Sequence, residues 1–125
     1  MERPPVSPML GVVGLEVIKN QFVGLDGALQ DIRATGYWPT TFVSPPTPEL
    51  PLHHHEVDIL GYLIEGRTYI LDAAGVRHDI GPGDKLLIPA GTRHAEGETT
   101  TQVTYLVTLP DTRRLTDALR LCGLG

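Results

Sequence analysis

Three consecutive histidines, His53, His54 and His55, stand at the entry of an apolar run, and the last histidine of the chain, His94, follows a second such run, KLLIPAGTR. In an extended segment successive side chains leave opposite faces, so His53 and His55 share one face and His54 takes the other. Val57, Ile59, Gly61 and Leu63 continue the face of His53 and His55, and this set is uniformly apolar or glycine, as the interior of a β-structure requires. Two imidazoles therefore point inward, and His94 delivers a third from a neighbouring strand. Imidazole ligands suit iron, zinc, copper and nickel, and three of them leave coordination positions open for a substrate. The competing reading is a solvated polar cluster after the Pro-rich loop SPPTPELP, with His94 hydrogen-bonded to backbone at the mouth. Either histidine set alone would favour that reading.

The elements that must carry these residues follow from the period of the apolar positions. In LDGALQDIRAT, residues 25–35, Leu25, Ala28, Leu29 and Ile32 recur at helical spacing, with Gly36 placed to stop the helix. From Tyr37 to about Leu109, Gly and Pro punctuate short runs rich in Val, Ile, Leu, Thr and Tyr, the spacing of an all-β sandwich or barrel. The expected strands are Trp38–Val43, Glu56–Ile64, Arg67–Leu71, Val76–Ile80, Lys85–Ile88 and Gln102–Leu109, with a tight turn at GPGD, residues 81–84. Leu115, Ala118, Leu119 and Cys122 return to helical period after an N-cap at Asp111 or Thr112. The organisation expected is an N-terminal arm and short helix over 1–37, a β-barrel over 38–109 and a C-terminal helix over 110–125.

The composition restricts the function classes. The chain has 125 residues, 41% of them hydrophobic and 20% charged, with a formal net charge of -5. That is enough for one core and offers no basic face, so a nucleic-acid partner is disfavoured. The most apolar N-terminal run, MLGVVGLEVI, is too short for a membrane span and holds Glu16, so neither membrane nor secretion is expected. A single cysteine, Cys122, excludes an internal disulfide and fits a reducing cytoplasm; at the helical end of the chain it reads as a packing residue.

HxH before an apolar strand ending YLIEG, followed by Gly83, Pro89, Gly91 and His94 in the pattern G(x)5PxGxxH, resembles the two motifs of the cupin superfamily, in particular its small single-domain, RmlC-like members. The resemblance implies a jelly-roll β-barrel. It also implies a metal held by two histidines and a glutamate of the first motif and the histidine of the second. Thr47 and Glu98 stand where the family often has glycine and asparagine. The departure that matters is Ile59, which occupies the position of the family's glutamate ligand. Three arrangements accommodate it: a three-histidine site, as in some cupin dioxygenases that cleave thiols or diketones; Asp58 or Glu56 turned inward by a β-bulge; or loss of the metal. The three-histidine site asks nothing extra of the backbone and is preferred.

The candidate ligands are thus His53, His55 and His94, with Asp58 as a possible addition, for a divalent metal, Fe(II) first and Zn, Ni or Mn after it. Arg93 at the mouth, Tyr105 and Trp38 are the candidate substrate contacts. Tyr62 is assigned to packing or a dimer contact and His78, in VRHDI, to the surface. Two functions are expected from different classes: a metal-dependent enzyme on a small organic molecule, dioxygenase-like, with isomerase or lyase chemistry as the variant; and a non-catalytic module that binds or senses a small ligand or metal. Residues 9–23 are too apolar for a free tail, and a homodimer, in which they pair with an edge strand of a second subunit, would cover them.

Overall fold

The computed structural model describes residues 7–124. Its strands form two sheets. The larger contains β1 (Glu16–Ile18), β6 (Lys85–Ile88), β3 (Ile59–Glu65), β8 (Val103–Leu109) and β2 (Trp38–Ser44), in that spatial order. The smaller runs β5 (Arg77–Ile80), β4 (Thr68–Leu71), β7 (Ala95–Glu96). A helix, α1 (Gly24–Thr35), precedes the second strand, and a single turn, α2 (Leu115–Ala118), follows the last.

The two sheets face one another across a shared core. Ile59, Leu63, Leu86, Ile88, Val103 and Val107 of the large sheet meet Ile70 and Ile80 of the small one. Hydrogen bonds do not join the sheets into a closed barrel, so the sequence-based barrel is here a two-sheet jelly-roll sandwich. The reverse face of the large sheet is also buried: Leu60, Tyr62, Leu87 and Leu106 pack against Phe22, Ala28 and Ile32. A strand covered on both faces reads as a continuous apolar run rather than an alternation, which accounts for ILGYLI in β3. Tyr62 is fully buried in that outer layer, where its hydroxyl donates to Asp31 at 2.6 Å.

Helix α1 ends where Gly36 takes a left-handed φ of 76°. Of its apolar stripe, Ala28 and Ile32 are buried, whereas Leu25 and Leu29 remain 51% and 44% exposed. The N-terminal arm is anchored within its own chain. Residues Glu16–Ile18 pair antiparallel with Lys85–Leu87, Met9 and Phe22 enter the outer core, and buried Asp84 accepts from Lys19 Nζ, from the Asn20 amide at 3.0 Å and from the Gly81 amide at 2.8 Å. The backbone of this arm thus pairs within its own chain rather than with an edge strand of a second subunit, while the side chains of Leu10, Val13 and Val23 stay exposed. The C-terminal helix is much shorter than the spacing predicts: Leu119 already caps it, because the chain then turns so that Cys122 and His54 exchange backbone hydrogen bonds of 3.0 Å each way.

Candidate metal centre

The loop between β2 and β3 runs alongside β7 and places the histidines. His53 and His94 are directly opposed, each amide donating to the other's carbonyl, at 2.9 and 2.8 Å. Opposed residues in an antiparallel pair present side chains to the same face. His55, two residues after His53, and Glu96, two residues after His94, join them there. The close approach of β7 to β4 depends on Gly97: a Cβ at that position would lie 2.5 Å from the Tyr69 carbonyl oxygen, and the Gly97 amide donates to that oxygen at 2.8 Å.

The result is a tight group of donors. His53 and His94 are fully buried and His55 nearly so, with ring centroids 4.6 to 5.0 Å apart. Each Nδ1 faces a backbone carbonyl: His53 that of Pro51 at 2.7 Å, His55 that of Arg120 at 3.1 Å, His94 that of Thr92 at 2.9 Å. A carbonyl only accepts, so all three Nδ1 atoms carry the proton and the neutral rings turn their Nε2 lone pairs to one point. Opposite them is the Glu96 carboxylate. Its Oε1 lies 2.9 Å from His94 Nε2 and 3.6 Å from His55 Nε2, and its Oε2 lies 3.0 Å from His53 Nε2. Despite that last distance, the angles make no hydrogen bond, and His53 Nε2 and Glu96 Oε2 are both buried without a partner.

His94 Nε2 and Glu96 Oε1, hydrogen-bonded at 2.9 Å, can share one proton. His53 Nε2 and Glu96 Oε2 stay unpartnered, and a cation among the four donors, either further protons or a metal, would satisfy them together. Protons are the poorer solution, because three imidazolium rings at these separations repel. Burial pushes the Glu96 carboxyl upward, but the surrounding histidines outweigh it and hold it far below the usual carboxylate range. For His53, burial lowers the pKa and Glu96 raises it, with a net rise. The orphaned atoms, the Nδ1–H bonds that fix the tautomers and the mixed imidazole–carboxylate set all fit a divalent transition metal.

Glu96 was missed in the sequence, and the rule that found His53 and His55 could have found it: His94-Ala95-Glu96 has the same two-residue spacing. Asp58 is turned away from the group, its Oδ1 accepting from the Ala90 amide at 2.8 Å. Ile59 is buried in the core below. Glu56 instead joins His54 and Cys122, whose donor atoms form a second group lying within 4.8 Å of one another on the opposite side of the segment.

A cavity of about 570 Å³ opens beside the cluster, lined by His55, Glu96 and Tyr105 together with Phe42, Leu50, Leu115, Leu119 and Leu121. Burial, and after it the Glu96 carboxylate, raises the Tyr105 pKa, so this phenol stays protonated. Arg93 and Trp38 lie outside this lining. Arg93, one residue before His94, leaves the other face and donates to the Gly123 carbonyl at 3.2 Å; Trp38 begins the edge strand β2 and is 56% exposed. His78 sits on β5 with Nε2 3.0 Å from Asp72. Among the described residues no helix is long and apolar enough to cross a membrane.

Solved structures share the fold at low identity. A DUF861 family protein from Thermotoga maritima superposes with a TM-score of 0.56 at 16% identity, over 76% of this chain and 98% of that one. An RmlC-like cupin from Shewanella frigidimarina gives 0.51 at 18% identity, over 62% and 69%. The polyketide cyclase RemF from Streptomyces resistomycificus gives 0.50 at 24% identity, over 60% of this chain and 55% of that one, so the match spans about half of the cyclase. No curated protein matches by sequence. The cupin-domain family model matches residues 40–109, more than half of the chain and the stretch that holds the histidine cluster and most of the two sheets' shared core, and the chain belongs to the cupin family.

Proposed function

We propose that this cupin holds a divalent metal through His53, His55, His94 and Glu96 and acts as a non-haem metal enzyme on a small organic molecule bound in the adjoining cavity. The observation that carries the proposal is the buried, mutually unsatisfied pair His53 Nε2 and Glu96 Oε2, within a group whose four donor atoms lie within 4.8 Å of one another. The three-histidine site expected from the sequence thus becomes a four-donor one, with the carboxylate supplied from β7 rather than from the position of Ile59. A bound metal would supply Lewis acidity and, as iron, electron-transfer chemistry with dioxygen, which makes a dioxygenase-type reaction the first to test.

The chain's own residues do the rest. Carbonyls of Pro51, Thr92 and Arg120 hold the three rings in one tautomer. Glu96 offsets one unit of positive charge. Tyr105 offers an O–H to a substrate oxygen, and Leu115, Leu119 and Leu121 exclude water from the cavity. A reading without turnover, as a metal- or ligand-binding module, is favoured by one feature: beyond the cluster, Tyr105 is the sole acid–base side chain among the described residues on the cavity wall.

Metal content decides the site. Protein purified without added metal is analysed by elemental mass spectrometry alongside His53→Ala, His55→Ala, His94→Ala and His78→Ala. Occupancy should collapse in the first three and persist in the fourth; equal occupancy in all four removes the assignment. Iron(II)-loaded protein exposed to nitric oxide under argon should give a new paramagnetic signal if a coordination position is open. Stable iron with no such signal would leave the binding module.

A further inference from the structure

The chamber beside the cluster has a chemical character that the metal reading does not require. Among the described residues its wall contains no lysine or arginine, and its one charged side chain is Glu96. The wall is mainly apolar, with Phe42, Pro48, Leu50, Leu119 and Leu121 among its residues, and the hydroxyls of Ser44, Thr47, Thr68 and Thr99 are small and neutral. A second, narrower chamber of about 90 Å³ continues into the core between Ile59, Ile70, Ile80 and Val107. The two chambers share His55, Glu96, Tyr105, Phe42 and Leu119, so the polar groups form a waist between two apolar spaces. At that waist the Tyr105 hydroxyl makes no hydrogen bond within the described residues, although Tyr62 and Tyr69 each donate to a carboxylate.

We propose that this cavity selects an uncharged, largely apolar molecule with a single polar oxygen, a phenol or ketone, presented at the waist to Tyr105 and the histidine–carboxylate cluster, and that it rejects molecules bearing an acid group on the apolar body. The proposal deepens the metal-enzyme reading and rests on it for the role of the cluster. The physical basis is desolvation. An anion moved from water to an apolar wall without a counter-charge loses hydration that nothing replaces, whereas an apolar body gains from burial and a lone oxygen finds a donor. The outer volume lies in the range that encloses a two- or three-ring molecule. Arginine would be the ordinary anchor for a carboxylate or phosphate, and Arg93, the anchor that the sequence suggests, donates instead to the Gly123 carbonyl.

The test uses two molecules with the same ring system and the same coordinating hydroxyl, 2-naphthol and 6-hydroxynaphthalene-2-sulfonate, titrated calorimetrically into the metal-loaded full chain. The neutral compound should bind at least about tenfold more tightly, a difference of about 1.4 kcal/mol. Tyr105→Phe should weaken 2-naphthol several-fold while leaving naphthalene unchanged, and Leu121→Lys should raise the affinity for the sulfonate. Equal or tighter binding of the sulfonate by the unaltered protein, or no binding of either compound at millimolar concentration, overturns the proposal. The titrations are repeated after chelator treatment. Preference for the neutral compound in protein that takes up no metal would sink the metal reading and leave this one standing, whereas full metal occupancy with no such preference would do the reverse.

Discussion

Replacing Glu96 by glutamine should change the sign of its effect on stability according to whether metal is present. In metal-free protein at mildly alkaline pH, the Glu96 carboxylate faces imidazole lone pairs, and its Oε2 and His53 Nε2 are buried and unpaired. A glutamine amide can donate to one of those nitrogens. An unsatisfied buried group costs roughly 1–3 kcal/mol, and because the Glu96 side chain is 38% exposed overall, the low end applies: a gain of about 1 kcal/mol, or about 4 °C in Tm for a chain of this size. With metal at a hundredfold excess over Kd, the unaltered protein gains about 2.7 kcal/mol, or about 11 °C. Loss of the charged donor, taken at a hundredfold in affinity, leaves the variant at its own Kd, where the gain is only about 0.4 kcal/mol. The melting curves of the two proteins should therefore cross: the variant melts higher in chelator and lower with metal. Differential scanning calorimetry in both conditions reads this directly. The pH matters in a defined direction. His53 has a raised pKa, so a proton shared with Glu96 stabilises the metal-free protein below the unfolded histidine pKa of about 6.5, and that contribution is lost as pH rises through the folded value. The metal-induced shift should accordingly shrink on acidification, as protons compete for the ligands. A variant that melts lower in both conditions, with an unchanged response to metal, would refute the reasoning.

The outer layer gives a second contrast. Lys85, 9% exposed, pairs with Asp31 at 2.6 Å, so Asp31→Ala strands a buried cation and should cost about 3 kcal/mol in urea unfolding, whereas Lys85→Met, which leaves Asp31 its bonds from Tyr62 and Gln21, should cost clearly less. At β7, Gly97→Ala places a methyl 2.5 Å from the Tyr69 carbonyl; it should lower metal occupancy through displacement of Glu96 and His94 while the far-ultraviolet spectrum stays that of a β protein, and normal occupancy would show that β7 has room to move.

What the sequence disclosed depended on how far each signal travels along the chain. His53, His55 and His94 were legible because two-residue alternation and a family motif both act locally, and the opposition of His53 to His94 follows once their strands pair. Glu96 obeys the same alternation, two residues after His94, but it lies on a different strand from the family's carboxylate position, which Ile59 fills. Strands β1 and β7 have three and two residues, too few for any period to show. The directions of Arg93 and Trp38 were set by tertiary partners, Gly123 in one case and an open sheet edge in the other. At the C-terminus, helical spacing through Cys122 lost to the exchange of hydrogen bonds with His54, a case of long-range pairing overriding local propensity.

The segment that makes that exchange contributes to two parts of the centre at once. Leu119 and Leu121 form part of the cavity wall, and Arg120 between them offers the carbonyl that orients His55. Any occupant that shifts this wall also alters the hold on one imidazole, so the two binding equilibria share a free-energy term. Thermodynamic reciprocity then fixes the relation between them: by whatever factor an occupant changes the hold on a metal ion, the ion changes the hold on that occupant by the same factor. Molecules of the same polarity but different girth would then be ranked differently by the loaded and the empty centre.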